Sequence, residues 1–362
     1  MSSVQNAFPK SYAQARQKFL DAAAAAGLQV QSHAHPLPGR DGESLAMDVV
    51  REGPADAKNL LVISSACHGV EGYCGSGVQV HALHDAAWRQ AACDAGVAVL
   101  YIHALNPHGF SHVRRVTHEN VDINRNFHNY SQPLPVNTAY REVQPLLLPE
   151  VWPPDAANEA AVGQFIAERG MPAFQAAVSG GQHEFADGLF FGGRGPTWSN
   201  LTLRNVLREH GRACQRLAWI DLHTGLGPSG VGERIFACAD DKPALARAKA
   251  WWGQGVTSIY DGSSTSAYLT GLMWTASYDE CPQAEYTGIA MEYGTQPMEK
   301  VMYALRGDHW LHKHPEASPA LRQQIKQDLM DAFYVDTDTW RQQIVDQAMD
   351  AMQQAAQGLA RS

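Results

Sequence analysis

Residues 59–77, NLLVISSACHGVEGYCGSG, join a short, continuous apolar run to a turn that contains a histidine and a glutamate. A continuous apolar run of this length is typical of a strand that is buried on both faces of a parallel sheet. Residues from about 77 to 95 read as a helix, and GVAVLYIHAL at 96–105 reads as the next strand. Strand, helix and strand form a βαβ unit. The sequence therefore predicts an α/β fold with a mixed, mostly parallel twisted sheet flanked by helices.

Further elements on both sides of this unit extend the predicted sheet. Residues 11–27 read as an N-terminal helix that ends at a glycine. LQVQSHAHPL at 28–37 and ESLAMDVVREG at 43–53 read as paired strands joined by a turn. Four downstream segments also have the composition of strands: RLAWIDLHTG (216–225), ERIFACAD (233–240), GLMWTASYD (271–279) and YTGIAMEYGT (286–295).

Residues from about 130 to 200 interrupt this pattern of strands. The Pro-rich part at 130–155 is predicted to be irregular, and two helices are predicted at about 158–170 and 171–179, before the Gly-rich stretch 180–200. We interpret this region as an elaboration inserted into the sheet, within a single domain spanning residues 1–362. From about residue 315 the chain is polar with apolar residues at helical spacing, which predicts a C-terminal helical segment packed on the domain.

Composition excludes several classes of protein. The 362 residues carry a net charge of −9 without blocks of Lys and Arg, which argues against nucleic-acid binding. No apolar run reaches the roughly 18 residues that a membrane helix needs. The six cysteines form no Cys-x-x-Cys pair, so reduced thiols and a cytoplasmic location are expected. The oligomeric state is left open.

Two polar clusters follow predicted strands. His68 and Glu71 lie three positions apart in the turn after the first strand, and His223 ends a later strand that also contains Asp221. Functional groups collect at the carboxyl ends of strands in open α/β sheets, and two histidines with a glutamate can bind a hydrolytic zinc ion. A polar surface turn and a structural histidine remain alternatives, as does a role for Asp221 in orienting a ligand.

The segment RRVTHENVDINRNF, residues 114–127, concentrates positive charge in an acidic protein. Arginine suits bidentate binding of a carboxylate, so Asn124 and Arg125 could hold an anionic substrate end. Arg115 could stabilise an oxyanion. A purely structural cluster of ion pairs with Glu119 and Asp122 is the alternative.

Glu292 ends an apolar strand and precedes a Tyr-Gly turn. A carboxylate at that edge of the sheet could act as a general base toward an activated water, or it could be a solvated side chain. No Gly-x-Ser-x-Gly nucleophile elbow or P-loop is present.

The order of these groups resembles that of the zinc carboxypeptidases. The most specific match is VDINRNF at 121–127 with NPHGF at 106–110 upstream, and the matching span runs from about Asn59 to Glu292. The sequence is similar to a bacterial branch of that family, which is related to the aspartoacylase and succinylglutamate desuccinylase group. The resemblance implies a carboxypeptidase-like (zinc-exopeptidase) fold and a single zinc-hydrolase catalytic domain.

The resemblance also implies a role for each candidate residue. His68, Glu71 and His223 would be the ligands of one Zn²⁺ per chain, the His₂Glu set of carboxypeptidase A. Arg115 would polarise the carbonyl, with Arg114 as the second choice. Asn124 and Arg125 would bind the free carboxylate of the substrate, and Glu292 would be the general base.

The activity implied is a metallocarboxypeptidase-type amide hydrolysis of a small peptide with a free carboxylate. An N-acyl amino acid deacylase with the same site is the first alternative, and a non-catalytic zinc-site protein that binds peptide ends or cell-wall fragments is the second. The sequence departs from the digestive carboxypeptidases in HTGLG after the third ligand and in YGT after the base. Four tyrosines are candidates for the substrate-capping residue of that family: Tyr260, Tyr268, Tyr278 and Tyr286.

Overall fold

Residues 4–361 are described in a computed structural model, and their strands form one seven-stranded sheet. The strands are β1 (Val30–Ala34), β2 (Ala46–Glu52), β3 (Asn59–Ser65), β4 (Val97–His103), β5 (Arg216–Ser229), β6 (Gly232–Phe236) and β7 (Glu285–Gly294).

The sheet has the order β1-β2-β4-β3-β5-β7-β6. Its four central strands, β4, β3, β5 and β7, are parallel, whereas β1, β2 and β6 pair antiparallel with their neighbours. The predicted mixed, mostly parallel sheet is therefore confirmed. Every residue of β3 after Asn59 is buried, which explains why this strand has a continuous apolar run instead of an alternating pattern.

One side of the sheet is covered by four helices, α3, α4, α10 and α14. Of these, α14 contacts the other three, and α3 contacts α4. The helices of the described chain are α1 (Val4–Ala7), α2 (Tyr12–Ala25), α3 (Gly72–His84), α4 (Ala86–Asp94), α5 (Pro107–Ser111), α6 (Thr138–Leu147), α7 (Ala156–Arg169), α8 (Met171–Ser179), α9 (Trp198–Gly211), α10 (Lys242–Trp252), α11 (Ala276–Glu280), α12 (Met298–Lys313), α13 (Pro319–Phe333) and α14 (Asp338–Arg361). Three 3-10 turns, Gly69–Glu71, Ile123–Arg125 and Met273–Thr275, complete the regular structure of residues 4–361.

The N-terminal elements follow the sequence prediction, with one difference. The side chain of Ser11 caps α2, and Gly27 follows the helix with a φ of 73°. The predicted helix between β3 and β4 is divided in two. Asp85 ends α3, and its carboxylate accepts hydrogen bonds from the backbone N–H groups of Ala87 and Trp88 at the start of α4.

Two predictions of secondary structure were wrong. Residues 271–279 were predicted as a strand but form a 3-10 turn followed by α11, because a short apolar run does not distinguish a strand from a buried helical turn. The Pro-rich segment was predicted to be irregular, but Thr138–Leu147 forms α6. The side chain of Asn137 caps this helix, and its buried residues recur at helical spacing.

The C-terminal segment is helical, as predicted, and forms α13 and α14. Ile325, Leu329 and Phe333 are buried on α13, which contacts α12 and β5. Between residues 4 and 361, no helix combines the length and the apolar character needed to cross a membrane.

A buried carboxylate links α12 and α13 to the segment that carries the arginines. Asp308 on α12 accepts hydrogen bonds from Arg114 Nε at 2.9 Å and Lys326 Nζ at 2.6 Å. Burial by itself would raise the pKa of Asp308, but the charges of Arg114 and Lys326 hold that pKa well below its usual range. Asp308 therefore stabilises the fold in its ionised form.

We expect Asp308→Asn to lower the free energy of unfolding by about 3 to 5 kcal/mol at neutral pH, because it leaves the buried Arg114 and the half-buried Lys326 without their anionic partner. The contribution of a carboxylate with a lowered pKa is complete above its unfolded value of about 4 and is lost as the pH falls below it. The variant should therefore lose less stability than the wild type between about pH 4 and pH 2. Urea denaturation across this pH range measures both effects.

Asp331→Asn is the matched control, because Asp331 is exposed on α13 and accepts a hydrogen bond only from the exposed Gln327. It should leave the unfolding curve nearly unchanged. Equal effects of the two substitutions would contradict a special role for the buried carboxylate.

Candidate metal centre and substrate cleft

The turn after β3 is fixed by hydrogen bonds to the segment that contains the arginines. The backbone N–H of Gly69 donates to Arg115 O at 3.0 Å, and that of Val70 donates to Arg114 O at 2.9 Å. A Cβ atom on residue 69 would lie 2.1 Å from the carbonyl carbon of Gly109, so only glycine allows this approach. These contacts fix the turn, and its two polar residues, His68 and Glu71, are buried.

His68, Glu71 and His223 meet just beyond the carboxyl end of β3, where the turn after β3 lies beside His223 within β5. Nδ1 of His68 lies 2.8 Å from Glu71 Oε1, and Nδ1 of His223 lies 3.0 Å from Glu71 Oε2. One ligand atom of each residue lies within 4.8 Å of the other two, and all three residues are buried. The structure therefore brings together the three residues predicted as metal ligands.

A carboxylate lies behind each imidazole. Nε2 of His68 is 3.2 Å from Asp122 Oδ1, and Nε2 of His223 is 2.5 Å from Asp221 Oδ2. Metal-ligating histidines commonly have such a partner, which fixes the orientation of the ring. Burial by itself would lower the pKa of His223, but Asp221 and Glu71 raise it well above its usual value. The negative charge that holds a proton here can equally hold a cation, so these residues fit a metal ion of the zinc type.

Asp122 was not predicted to belong to this site. From the sequence, Asp122 is expected only as an ion-pair partner of the arginines, whereas in the structure it contacts both His68 and Arg115. Its position two residues before Asn124 in VDINRNF was the available signal, but local sequence does not show that this loop passes behind His68.

A second set of possible ligands, Cys67, Asp221 and His223, also satisfies the 4.8 Å distance. Cys67 is fully buried, and burial raises the pKa of its thiol well above the usual value. Because the thiolate is the form that binds metals, a neutral buried thiol favours the first set over this one. The six cysteines are all unpaired in the structure.

The two neighbouring arginines have different environments. Arg115 donates from Nε to Asp122 Oδ2 at 3.0 Å and from Nη1 to Glu71 Oε1 at 3.2 Å, and its Nη2 lies 2.7 Å from His68 Nε2. Arg114 instead binds Asp308 and Asn120. Arg115 therefore lies at the candidate site, and Arg114, the second choice, serves the buried cluster around Asp308.

Asn124 and Arg125 both line the same cleft as the candidate ligands. Oδ1 of Asn124 accepts a hydrogen bond from the backbone N–H of Met273, which leaves its side-chain NH₂ group as a donor. Arg125 is 3% exposed, and it donates to Ser179 O from Nε and Nη2 and to Asn124 O from Nη1. Arg125 keeps N–H groups beyond these bonds, because a guanidinium has five.

Glu292 on β7 lies beside His223 on β5, since the two residues are direct partners in the parallel register. The backbone N–H of Leu226 donates to Glu292 Oε1 at 2.9 Å, which leaves Oε2 available. The pKa of Glu292 is raised to about 7, chiefly by burial and secondly by the negative charge of Glu71. A bound cation would oppose this rise, because it offsets the charge of Glu71.

The cleft extends from the candidate ligands into an apolar chamber. Ile235, Ile259, Leu269, Leu272 and Trp274 line this chamber, and the ionisable groups among the described lining residues belong to the site itself. The inserted region contributes Gln175, Ser179 and Phe190, so it forms one wall of the cleft.

A second cavity adjoins the first, and Gln175, Met298 and Met302 line both. Its lining includes four carboxylates and two basic side chains: Glu159, Glu299, Asp328, Asp331, Lys300 and Arg306. The two cavities therefore share part of their walls.

The four candidate tyrosines are distributed differently around the cleft. Tyr260 donates a hydrogen bond to Cys238 O, and the hydroxyl of Tyr278 accepts one from the backbone N–H of Ala239. Tyr286 is buried and lines the cleft. Tyr268 is 61% exposed and lies between Ala267 and Leu269, which line the apolar chamber.

Solved structures share this fold. Thrombin activatable fibrinolysis inhibitor matches with a TM-score of 0.53 at 10% identity, over 98% of this chain and 77% of that chain. The bovine protein of that name, in complex with tick carboxypeptidase inhibitor, gives a TM-score of 0.50 at 9% identity over 98% of each chain. A metallo-carboxypeptidase from Burkholderia cenocepacia gives 0.42 at 11% identity over 98% of this chain and 70% of its own. The first two confirm the carboxypeptidase-like fold that the resemblance implied.

Sequence comparison gives the family. No curated protein matches the chain. One family matches residues 8–347, which include every element from α2 to α13 and the first part of α14. The chain therefore belongs to the family described as "Protein of unknown function (DUF2817)".

Proposed function

We propose that this protein is a zinc-dependent amide hydrolase of the carboxypeptidase type, which removes the C-terminal residue of small peptides. The observation that carries the proposal is the convergence of Nδ1 of His68 and Nδ1 of His223 on the carboxylate of Glu71, with Glu292 next to His223 in the sheet. Two histidines and one carboxylate leave room for a reacting group at a four-coordinate ion.

His68, Glu71 and His223 would hold one zinc ion per chain. When bound, such an ion supplies Lewis-acid chemistry, in which it acidifies a water and polarises a carbonyl. Asp122 and Asp221 would keep the two imidazole rings oriented through their Nε2 atoms.

The surrounding side chains would transfer the proton, stabilise the oxyanion and bind the substrate. Oε2 of Glu292 would take a proton from the attacking water and deliver it to the leaving amine nitrogen. Arg115 would donate hydrogen bonds to the oxygen that becomes negative as the carbonyl is attacked. The free N–H groups of Asn124 and Arg125 would bind the terminal carboxylate.

The shape of the cleft indicates the substrate. The apolar chamber favours a large apolar C-terminal side chain, because a charged side chain would be desolvated there without a partner. The second cavity offers space for residues on the amino side of the scissile bond. This extra space favours a peptide over an N-acyl amino acid.

We expect the purified wild-type chain, without an affinity tag that binds metals, to contain about one zinc ion. His68→Ala should lose it, because two protein ligands do not hold zinc tightly. Metal analysis after dialysis measures both. His84→Ala is the control, since His84 is an exposed residue at the end of α3 and its loss should leave the zinc in place. Zinc retained in full by His68→Ala would exclude the proposed ligand set.

We expect Glu292→Gln to keep its zinc and to lose turnover by a factor of about 100 to 10,000, because the amide cannot accept the proton. Glu285→Gln on the same strand is the control, since Glu285 is exposed and pairs with Arg247. Full activity of Glu292→Gln would rule out its role as the base. If a zinc-loaded wild type binds peptides without turning them over, the protein is the non-catalytic binding protein of the second alternative.

A panel of N-blocked substrates tests the proposed specificity. Peptides that end in Phe or Leu should exceed those that end in Lys, Arg or Asp by about 100-fold in kcat/KM, and four-residue peptides should exceed dipeptides. N-acetyl amino acids should be the poorest substrates. Turnover of N-acyl amino acids alone would instead establish the deacylase alternative.

A further inference from the structure

Phe190, in the inserted region, lies against two arginines at once. The guanidinium carbon of Arg115 is 5.1 Å from the centre of the Phe190 ring, and that of Arg125 is 5.5 Å from it. Both distances are within the range of a cation–π contact. Phe190 is 6% exposed, so the contacts are largely shielded from water.

The backbone at Phe190 has a conformation that is unusual for a bulky residue. Its φ is 52°, in the left-handed region that favours glycine. Neighbouring hydrogen bonds hold it there: Gln182 N donates to Phe190 O, and Asp122 N donates to Phe191 O at 2.8 Å. Strained residues of this kind concentrate at functional sites, and the ring of Phe190 lines the candidate cleft.

The ring of Phe190 can stabilise positive charge that the hydrogen bonds of Arg125 do not neutralise. Glu71 and Asp122 both pair with Arg115, whereas the hydrogen bonds of Arg125 go to neutral carbonyl oxygens. Burial lowers the pKa of Arg125 to about 10; the charge of Asp122 opposes this fall, and the positive charge of Arg115 adds to it. The face of an aromatic ring is negative, so the ring can attract both guanidiniums without forming a competing salt bridge and leave their free N–H groups to the substrate.

We propose that Phe190 is a positioning residue, whose ring orients the guanidiniums of Arg115 and Arg125 toward the cleft. The inserted region would thereby complete the site, because it supplies both this ring and the Ser179 carbonyl that binds Arg125. The consequence for substrates rests on the proposed function, whereas the contact between the ring and the guanidiniums does not.

Kinetics of three variants test the consequence for substrates. Phe190→Leu removes the aromatic face, and it should raise KM for peptides with a free carboxylate and lower kcat, for a loss in kcat/KM of about tenfold or more. Phe190→Tyr keeps the face and should restore most of this loss. Phe185→Leu is the matched control, because Phe185 belongs to the same region and its ring contacts Tyr140; it should leave kcat and KM unchanged.

Arginine side-chain NMR tests the orientation without any need for activity. The Nε–H signals of the two arginines can be assigned by their loss in Arg115→Lys and Arg125→Lys. Both signals should carry a ring-current shift in the wild type and in Phe190→Tyr, and should lose it in Phe190→Leu. If Phe190→Leu does not fold, Phe190→Gly serves instead, because glycine accepts the positive φ.

The outcomes separate the two proposals. Unchanged arginine signals in the folded variant without the ring would overturn the positioning role, whatever the activity. Shifted signals with unchanged kcat and KM would overturn its importance for substrates. Shifted signals in a zinc-loaded protein that hydrolyses none of the panel would support the positioning role while the proposed function fails.

Discussion

The buried carboxylate of Glu71 is the interaction on which the rest of the site depends. It is 2% exposed, and its two oxygens face His68, His223 and Arg115 and accept a hydrogen bond from the backbone N–H of Thr224. A buried charge is tolerated only when it is paired and hydrogen-bonded. These partners come from three parts of the chain: His68 from the turn itself, His223 and Thr224 from β5, and Arg115 from the loop with the arginines. The position of Glu71 therefore requires the turn after β3, the register of β3 and β5, and the loop with Arg115 to be correct together.

The parallel strands at the centre of the sheet bring these parts of the chain together. β3 lies between β4 and β5, and β7 follows β5, so that the turn after β3 and residues of β5 and β7 lie side by side at the candidate site. His68 follows β3, and His223 and Glu292 are register partners on β5 and β7. Because the central strands are parallel, residues that lie more than 200 positions apart in the sequence, such as His68 and Glu292, come to the same edge of the sheet.

Residues from the region between about 130 and 200 form one wall of the cleft at this edge. Gln175, Ser179 and Phe190 line it, and the Ser179 carbonyl and the Phe190 ring both contact Arg125. Arg125 is thus held by parts of the chain that lie outside the sheet. Variation in such a region can change which substrates are accepted while the ligand turn and the strands remain the same, since loops tolerate substitution more readily than the strands that carry them.

Local sequence determined much of the fold and of the candidate site, because continuous apolar runs and turn residues report burial and strand ends directly. The strand before His68, the βαβ unit and the strands that carry His223 and Glu292 follow from such patterns. The patterns were insufficient where a short apolar run forms buried helical turns, as at Met273, and where a capped helix contains a proline, as at Pro145. Only the tertiary structure decided that Arg115 faces the site while Arg114 faces Asp308, that Asp122 supports His68, and that Phe190 contacts two arginines. These are contacts between side chains from separate elements, and their geometry depends on how the elements pack rather than on the residues beside them in the sequence.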